Sequence, residues 1–457
     1  MMDATSVNLV YPGISTSGFY TAHLGWAEAS WIHHGLASLS AALKHRGIGV
    51  SLLDLRHKRN WSHFRKAAAS AQSNIFGITM MSVDYNTAIR CAAIIKSVKP
   101  DAFIVVGGAH PSIMTEELKD ISEIDCIFTG EAEITFPQLA LDLANGKSPE
   151  RVVRGEPPEL DDIPFADREL FGPYEYPMKY MPAPFMTIIA GRGCRYNCNF
   201  CQPAERLIFG KRVRRRSPEN VIAELTIMRD RYSFRSFLIH DDCLTEDAAW
   251  VDSFLKLYRK EGFTQPFACQ CRADHICRRV ELIRLMRDSG LTWLIIGFES
   301  GSQRVLNFLR KGTKVKQNLE AAQICRELGI RIWANYMLGI PTETKEEAME
   351  TVRMIRLIAP DHYSPSFYTP HPGSDLFTYC IEKGLSRIRS HSDYKRNPYG
   401  EKIVGVDYNF LRRAVMLSLG LSAAGRIRYR LLSNLGVKRF LARVRYYVQR
   451  VGMKTHR

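Results

Sequence analysis

Three closely spaced cysteines are the residues of this chain best suited to do chemistry. Cys194, Cys198 and Cys201 form a C-x3-C-x2-C run directly after an apolar, strand-like segment at residues 185–190. Iron–sulfur clusters are normally held by four cysteinate ligands, so three thiolates predict a four-iron [4Fe-4S] cluster with one iron left open. A small molecule could bind and react at that open iron.

Two simpler interpretations of the three cysteines stay open at this point. Structural zinc sites use four ligands, usually as two separated pairs or as a pair with histidines. Neither a second C-x2-C pair nor a nearby histidine pair completes such a set here. The other alternative is three unrelated core cysteines, although the chain has only 11 cysteines in 457 residues. The spacing alone therefore favours an iron–sulfur cluster.

The run at residues 191–201 (GRGCRYNCNFC) resembles the signature of the radical S-adenosylmethionine (radical SAM) superfamily, including the aromatic residue before the third cysteine. The resemblance extends to residues 211–225, 296–302 (IGFESGS) and 337–343 (MLGIPTE). In this family, SAM chelates the open iron, and an electron from the cluster cleaves it to methionine and a 5′-deoxyadenosyl radical. The resemblance implies that the protein aims this radical at one C–H bond of its substrate.

The periodicity of apolar residues predicts the elements that position these motifs. The first 150 residues alternate short apolar runs with amphipathic stretches, which indicates a parallel sheet with helices on both faces. Strands are expected at residues 7–11, 49–55, 74–80, 102–106 and 125–129, and helices at residues 35–45, 85–96 and 135–145. Five such strands form a doubly wound, Rossmann-like α/β unit, whose ligands sit beyond the carboxyl ends of the strands.

The loops at those carboxyl ends carry glycines and polar residues. The most distinctive is VGGAHPS at residues 106–112, because glycine lets the backbone approach a flat ligand closely. Taken alone, this loop fits a nucleotide-binding or a ligand-free domain equally well. Ahead of a radical SAM core, the loops resemble the cobalamin-binding domain of the B12-dependent radical SAM subfamily. The resemblance implies cobalamin contacts from Tyr11, Pro12, Ser82, Gly107, Gly108, His110, Gly130 and Glu131.

The loop after the first strand departs from one known cobalamin pattern. Domains of the methionine synthase type carry Asp-x-His-x-x-Gly there, and their histidine replaces the corrin's own base on cobalt. Residues 11–18 (YPGISTSG) contain no histidine, although Asp54 and His57 after the second strand look superficially similar. We therefore expect that no histidine from this motif ligates cobalt.

A proline- and acid-rich stretch at residues 155–164 predicts a linker at residues 151–183. Beyond it, βα alternation resumes six times, with strands expected near residues 184–190, 236–240, 267–271, 292–298, 331–337 and 362–369. Such units close into a full or partial barrel with its chemistry at the carboxyl ends of the strands. The family implies a partial (β/α)6 barrel, which we place at residues 184–385, followed by a basic helical extension at residues 386–457.

Strand parity and the resemblance together suggest the residues that contact SAM. Gln270 and Arg272 share one face of the third barrel strand and are expected to line its cavity, while Cys269 and Cys271 face the helices. Alternatively, these two thiols and Cys277 could hold an additional cluster. The candidate SAM-binding residues are Phe200, Gln270, Arg272, Glu299, Ser300, Asn335 and Gly339.

Three residues near the barrel mouth are catalytic candidates. His240 and Asp242 follow the second barrel strand, where one aspartate of the HDD sequence could instead cap a helix. Tyr368 ends the last strand and could bind substrate or relay a proton. Each of these positions, like Asn335, fits an ordinary structural role as well.

Composition and charge indicate where in the cell the protein acts and which partners it can have. The chain has a formal charge of +16, and residues 411–457 contain 12 Lys or Arg and no Asp or Glu. Apolar residues recur there at helical spacing between residues 437 and 451, which is typical of a helix that lies on an anionic membrane or packs on the protein. Unpaired cysteines and the lack of an 18-residue apolar run favour a cytoplasmic protein, with peripheral membrane contact left open. Nucleic acid is not an expected partner.

The sequence therefore predicts a B12-dependent radical SAM enzyme. The leading hypothesis is methyl transfer to an unactivated carbon through a 5′-deoxyadenosyl radical and methylcobalamin. The alternatives are ring formation, rearrangement or oxidation without methyl transfer and, in another class, a corrinoid or iron–sulfur sensor. The expected partners are a small-molecule, lipid or peptide substrate and an electron donor such as flavodoxin or ferredoxin.

Overall fold

The computed structural model describes residues 5–15, 18–19, 31–172, 178–201, 204–394 and 401–420. The basic amphipathic stretch at residues 437–451, with its predicted membrane contact, lies outside these ranges. Within them, no helix combines the length and the apolar character that a membrane crossing requires.

The first unit is a six-stranded, all-parallel sheet with helices on both faces. Its strands are β1 (Ser6–Tyr11), β2 (Gly49–Asp54), β3 (Ile75–Thr79), β4 (Phe103–Gly107), β5 (Cys126–Thr129) and β6 (Val152–Arg154). They lie in the order β2-β1-β3-β4-β5-β6. The helices between them are α1 (His34–His45), α2 (Trp61–Ala69), α3 (Tyr85–Val98), α4 (Ala109–Ile113) and α5 (Thr135–Ala144).

Both faces of this sheet are buried, which explains why its strands read as continuous apolar runs. One core contains Phe64, Phe76 and Ile95 beneath α2 and α3, and the other contains Leu43 and Phe136 beneath α1 and α5. The predicted doubly wound fold is thus confirmed. The sheet also extends further than predicted, because β6 lies beyond the expected boundary at residue 150 and pairs with β5.

The second unit is a curled, all-parallel sheet of six strands. They are β7 (Phe185–Ile188), β10 (Ser236–Ile239), β11 (Phe267–Cys271), β12 (Leu291–Glu299), β13 (Arg331–Leu338) and β14 (His362–Phe367), in sequential spatial order from β7 to β14. A two-stranded antiparallel ribbon, β8 (Gly191–Arg192) with β9 (Arg214–Arg215), follows β7. The predicted six-unit partial barrel is confirmed.

Helices cover the outer face of this barrel. A short helix before them, α6 (Ala204–Ile208), lies against α4 of the first unit instead. The covering helices are α7 (Pro218–Tyr232), α8 (Ala248–Lys260), α9 (Ala273–Arg278), α10 (Val280–Asp288), α11 (Gln303–Phe308), α12 (Val315–Glu327), α13 (Lys345–Ile358) and α14 (Asp375–Glu382). The sequence marks several of their starts with a capping side chain: Ser217 accepts a hydrogen bond from the Asn220 amide, with a proline at the first helical position. A last helix, α15 (Tyr408–Ser418), packs on α13.

Candidate active site between the two sheets

The three cysteines lie on the segment that joins β8 to β9, after the carboxyl end of the barrel strand β7. Asn199 fixes this loop, because its side-chain amide donates to the Phe308 carbonyl at 2.6 Å and its backbone N–H donates to Leu309. The backbone N–H of Cys201 in turn bonds to the Cys198 carbonyl. Two helix-end contacts therefore hold the loop in place.

Two cations stand beside these thiols. The guanidinium of Arg272 lies 3.7 Å from the centre of the Tyr196 ring, and its Nη1 is 4.0 Å from the Cys198 sulfur. The Arg272 Nη2 donates to the backbone carbonyl of Lys311 at 2.6 Å. Burial by itself lowers the pKa of Lys311, but the nearby Glu299 and Cys198 raise it, so this side chain stays protonated. Negative charge on the thiolates would therefore be compensated.

The chemistry of the three cysteines suits an iron–sulfur cluster. Three soft thiol ligands come from one loop, and soft ligands of this kind select iron–sulfur clusters or zinc. Burial raises the pKa of the Cys194 thiol to about 11, so binding of a cationic metal group must displace protons there.

Glu299 is held in an unusual backbone conformation at the end of β12. Its φ is +61°, a left-handed value that is uncommon for a residue other than glycine. Its carboxylate accepts a hydrogen bond from Lys311 Nζ at 3.0 Å, and both side chains are about 10% exposed. A Cβ atom on Gly297 would lie 2.3 Å from the Glu299 Oε1 and 2.9 Å from Lys311 Nζ. Glycine at position 297 is therefore what leaves room for this ion pair.

The remaining SAM candidates divide into two groups. Phe200 packs against a buried cluster beside Lys311, and Gln270 is half-buried on the strand face opposite Cys269 and Cys271. Ser300, in contrast, is fully buried and faces α13, where its hydroxyl lies 3.2 Å from that of Thr351.

Asn335 and Gly339 belong to β13 and the turn that follows it. The Asn335 Oδ1 accepts from the indole N–H of Trp333 at 3.2 Å. Gly339 has a φ of +73°, and its amide donates to Glu343, whose pKa burial raises to about 7. Among the seven candidates, the structure therefore brings Arg272, Glu299 and Phe200 together around Lys311.

The other barrel cysteines are placed as strand parity predicts. Cys269 and Cys271 are buried in the core beneath the helices, and Cys271 lies 3.0 Å from the Thr245 hydroxyl. Cys277 instead donates to the Gln317 carbonyl on α12. This packing disfavours the alternative of an additional cluster.

A cavity of about 450 Å³ lies between the first sheet and the mouth of the barrel. Loops at the carboxyl ends of both sheets line it, as the doubly wound and barrel folds require. Four of the eight predicted cobalamin residues are in its wall: Gly107, Gly108, Gly130 and Glu131. Apolar side chains such as Leu36, Phe128 and Phe136 line its deeper part along the sheet.

The glycines shape one wall of the cavity. Gly108 has a φ of +106°, and a Cβ there would lie 3.1 Å from the Thr79 hydroxyl and 3.2 Å from the Met80 carbonyl. Gly130 also has a positive φ, of +79°. A backbone without side chains, next to an apolar slot, fits the close approach of a planar ligand such as a corrin.

The other four predicted cobalamin residues do not line this cavity. The Tyr11 ring lies 5.0 Å from that of His33, and Pro12 follows directly in the same loop. Ser82 and His110 contact each other at 3.1 Å, behind Gly108. Direct contact of these four residues with cobalamin stays a prediction, since they lie outside the residues that line this cavity.

Glu131 lines the cavity but is engaged by the barrel. Arg192 donates to Glu131 and to Glu133 at 2.5 Å each, and Arg214 also pairs with Glu131. The two carboxylate side chains are 3% and 8% exposed. This ionic junction, which the sequence analysis missed, joins the loop after β5 to the ribbon that precedes Cys194.

Histidines that the sequence analysis did not single out also reach the cavity. His33 Nδ1 accepts from the Leu36 amide, as the N-cap of α1, and His34 Nε2 lies 2.8 Å from the Thr187 hydroxyl. Burial lowers the pKa of His33 to about 4 and that of His34 well below its usual value. Both imidazoles are therefore neutral at pH 7. Their only sequence signal is their position immediately before a helix.

The three catalytic candidates separate in the structure. His240 and Asp242 line the cavity, and burial lowers the pKa of His240. Asp241 is instead buried, where it accepts hydrogen bonds from the Ala190 amide at 2.7 Å and from Arg215 of β9 at 3.0 Å. Tyr368 lies outside the cavity wall, in an apolar cluster with Leu376 against which Phe200 packs, and its catalytic role stays a prediction.

Comparisons with known proteins agree with this arrangement. Residues 188–355 match the model of the radical SAM superfamily, and residues 22–140 match that of the B12 binding domain. The chain is a cobalamin-binding radical SAM protein. Radical SAM proteins of this type take a [4Fe-4S] cluster, SAM and cobalamin as cofactors.

The matches to individual relatives span most of the length of this radical SAM protein. It is 29% identical over 77% of its length to an uncharacterised methyltransferase of Pyrococcus horikoshii, of which the match covers 79%. It is 28% identical over 79% of its length to the anaerobic magnesium-protoporphyrin IX monomethyl ester cyclase of Rubrivivax gelatinosus, with 69% of that protein covered. The fold is similar to that of the methyltransferase TsrM from Kitasatospora setae, solved with cobalamin and a [4Fe-4S] cluster bound, with a TM-score of 0.67, 16% identity and 92% of each chain covered.

Proposed function

We propose that this protein is a cobalamin-dependent radical SAM methyltransferase that transfers a methyl group to an unactivated carbon. The observation that carries the proposal is the shared cavity. One wall consists of the glycine loops of the B12-binding domain, and the other consists of barrel residues such as Arg192, His240 and Asp242, with Arg192 two residues before Cys194. When bound, the cluster supplies the electron that cleaves SAM, and cobalamin supplies the carrier for the methyl group.

Different residues around the cluster loop would bind the cluster and SAM. Cys194, Cys198 and Cys201 would hold the cluster, leaving one iron for SAM. The paired Glu299 and Lys311 offer a carboxylate and an ammonium at the end of β12, which suit the zwitterionic amino acid part of SAM. Arg272, held by Lys311 and by Asp274, adds positive charge beside Cys198.

The cavity wall supplies different groups on the side of the first sheet. Gly107, Gly108 and Gly130 would let a corrin ring lie against the backbone, as their missing side chains allow. His33 and His34 are buried and neutral, so they can donate or accept hydrogen bonds without bringing charge into the cavity. His240 and Asp242 lie on the barrel side, where they could position the substrate.

A second candidate function is supported by relatives that are named as cyclases. The Rubrivivax protein is named as a cyclase, so cobalamin and radical chemistry without methyl transfer is the alternative reaction. A small-molecule substrate and an external one-electron donor, such as flavodoxin or ferredoxin, suit both reactions. The apolar cavity walls favour a substrate with a large apolar surface.

The test is an anaerobic reaction of the reconstituted protein with SAM that carries an isotopic label on its methyl group. Candidate apolar substrates, reductant and cobalamin are supplied, and the products are analysed by mass spectrometry. A product that gains one labelled methyl group supports the methyltransferase. An unlabelled product with altered mass, formed together with 5′-deoxyadenosine, supports the cyclase type of reaction instead. The Cys198→Ala variant serves as the inactive control.

A further inference from the structure

Three potential metal ligands meet at the carboxyl edge of the first sheet, outside the set of residues that line the cavity. His110 lies on α4, Glu117 follows it in a short 3-10 turn, and His391 comes from the segment after the barrel. The His391 Nε2 lies 2.9 Å from the Glu117 Oε2, and the His110 Nε2 lies 3.7 Å from the same oxygen. All three ligand atoms lie within 4.8 Å of one another.

His110 is the most informative member of this group. Its side chain is fully buried, and its Nε2 has no hydrogen-bond partner among the residues that the structure describes. A buried polar atom without a partner is costly, so its position facing two other ligands requires an explanation. The other ring nitrogen, Nδ1, lies 3.1 Å from the Ser82 hydroxyl. If Nδ1–H donates to Ser82, the lone pair of Nε2 points at Glu117 and His391, which is the arrangement found in metal-ligating histidines.

The position of His391 is fixed independently of any ligand. Its ring stacks on that of Tyr85 with centroids 3.6 Å apart and an interplanar angle of 11°. Its side chain is 25% exposed and that of Glu117 is 32% exposed, so the group opens to solvent on one side. Two buried or stacked imidazoles and one carboxylate are thus preorganised, with room for a water molecule.

We propose that His110, Glu117 and His391 bind a divalent transition-metal ion of the zinc class, with water as the fourth ligand. Zinc takes nitrogen and carboxylate ligands at about 2.0–2.2 Å in a tetrahedron, which places neighbouring ligand atoms about 3.3 Å apart. The distances from the Glu117 Oε2 to the Nε2 atoms of His391 and His110, 2.9 and 3.7 Å, lie just below and just above this value. Only small side-chain movements are therefore needed.

Such an ion would fasten the segment at residues 391–394 to the B12-binding domain. His110 is two residues from Gly108, and Ser82 follows β3, so the ion would also stiffen the two loops that approach the proposed corrin site. The inference concerns a structural ion and does not depend on the reaction catalysed in the cavity.

The test measures metal content and coordination in the full chain, with its cluster reconstituted and cobalamin bound. After incubation with one equivalent of zinc and gel filtration, zinc is counted by mass spectrometry and its ligands are determined by X-ray absorption spectroscopy. We expect one zinc per chain with only nitrogen and oxygen neighbours near about 2.0–2.1 Å, because a cysteine-bound ion would show sulfur at about 2.3 Å.

Variants assign the site. Ser82→Ala removes only a hydrogen-bond partner of His110 and should weaken zinc binding by roughly 10- to 100-fold. His391→Ala and Glu117→Gln each remove a ligand and should weaken zinc binding by more than that. His63→Ala, which removes an exposed histidine of the same domain, should retain the zinc. Circular dichroism and the iron and cobalamin contents check that each variant is folded. Absence of retained zinc, sulfur in its coordination shell, or retention in His391→Ala would each overturn the proposal.

Discussion

Replacement of Arg192 by glutamine should weaken the contact between the two units more than any other single change in the cavity wall. Arg192 connects the barrel ribbon to Glu131 and Glu133 of the B12-binding domain. Without it, Glu131 keeps Arg214, whereas Glu133 keeps the Ser38 hydroxyl, a neutral donor, as its side-chain partner. A buried carboxylate would then face the cavity without its compensating cation.

The magnitude follows from the burial of the three side chains, which are 17%, 3% and 8% exposed. Breaking a buried ion pair by removing one partner costs about 3–5 kcal/mol, whereas an exposed pair costs about 0–1 kcal/mol. A loss of this size lowers the melting temperature of a unit of 150–250 residues by on the order of 10 °C.

The deficit should depend on pH because of Glu133. In the native protein burial by itself raises the pKa of this carboxyl, but Arg192 lowers it, and the net pKa lies below the ordinary value. This pair therefore stabilises the native protein above pH 4.5 and loses its effect only as the pH falls through the lowered pKa. In the variant, burial is unopposed and the pKa of the carboxyl rises. The variant then loses stability as the pH increases through that raised pKa, by at most about 1.4 kcal/mol per pH unit.

The assay is thermal unfolding of the reconstituted protein at pH 5.5 and pH 8.0, with iron content measured to exclude cluster loss. We expect a larger deficit at pH 8.0. Arg195→Gln is the matched control, because Arg195 lies three residues further along the chain and its side chain is 61% exposed. The double variant Arg192→Gln/Glu133→Gln should recover the pH-dependent part of the loss. Equal deficits at both pH values, or an Arg192→Gln variant as stable as the control, would refute this reasoning.

Two further substitutions test the cluster loop and its neighbours. Cys198→Ala should abolish formation of 5′-deoxyadenosine while leaving the cobalamin absorbance of the purified protein largely unchanged; loss of both would place the cysteines in a shared structural role. Gly297→Ala should force Glu299 away from Lys311, because the added Cβ would lie 2.3 Å from the carboxylate. This variant should have a free energy of unfolding, measured with urea, that is lower by about 3–5 kcal/mol, and it should cleave SAM more slowly. Gly329→Ala places a Cβ where no atom of the described residues lies within 4 Å, but its φ of +66° adds backbone strain, so this variant should lose some stability and keep SAM cleavage intact. Equal slowing of SAM cleavage in both variants would contradict this account.

The elements of both sheets could be predicted because each strand is buried and rich in apolar residues. Strand parity also placed Cys269 and Cys271 in the core and Arg272 near the cluster loop, since alternation is a local property of the chain. The short edge strand β6 was missed because three residues beside a proline-rich segment carry little periodicity.

The partners of polar residues could not be predicted in the same way. Glu131 was expected to contact cobalamin, but its position relative to Arg192 depends on how the two sheets pack, which no local pattern encodes. The same holds for Lys311, whose pairing with Glu299 joins residues on different elements. His33 and His34 carry no spacing motif, so only the cavity identifies them.

The pairing of the charged residues determines what the cavity can bind. Arg192 and Arg214 together compensate Glu131 and Glu133, and Arg216 pairs with Glu224 at 2.5 Å, so most of the charged side chains in the wall are engaged in ion pairs. The wall then offers glycine backbone, neutral imidazoles and apolar side chains to a ligand. Affinity at such a surface comes from shape and apolar burial rather than from ion pairing. A large, mostly apolar macrocycle that lies flat on glycines is the kind of ligand that this wall favours, and charged metabolites would find little compensation there.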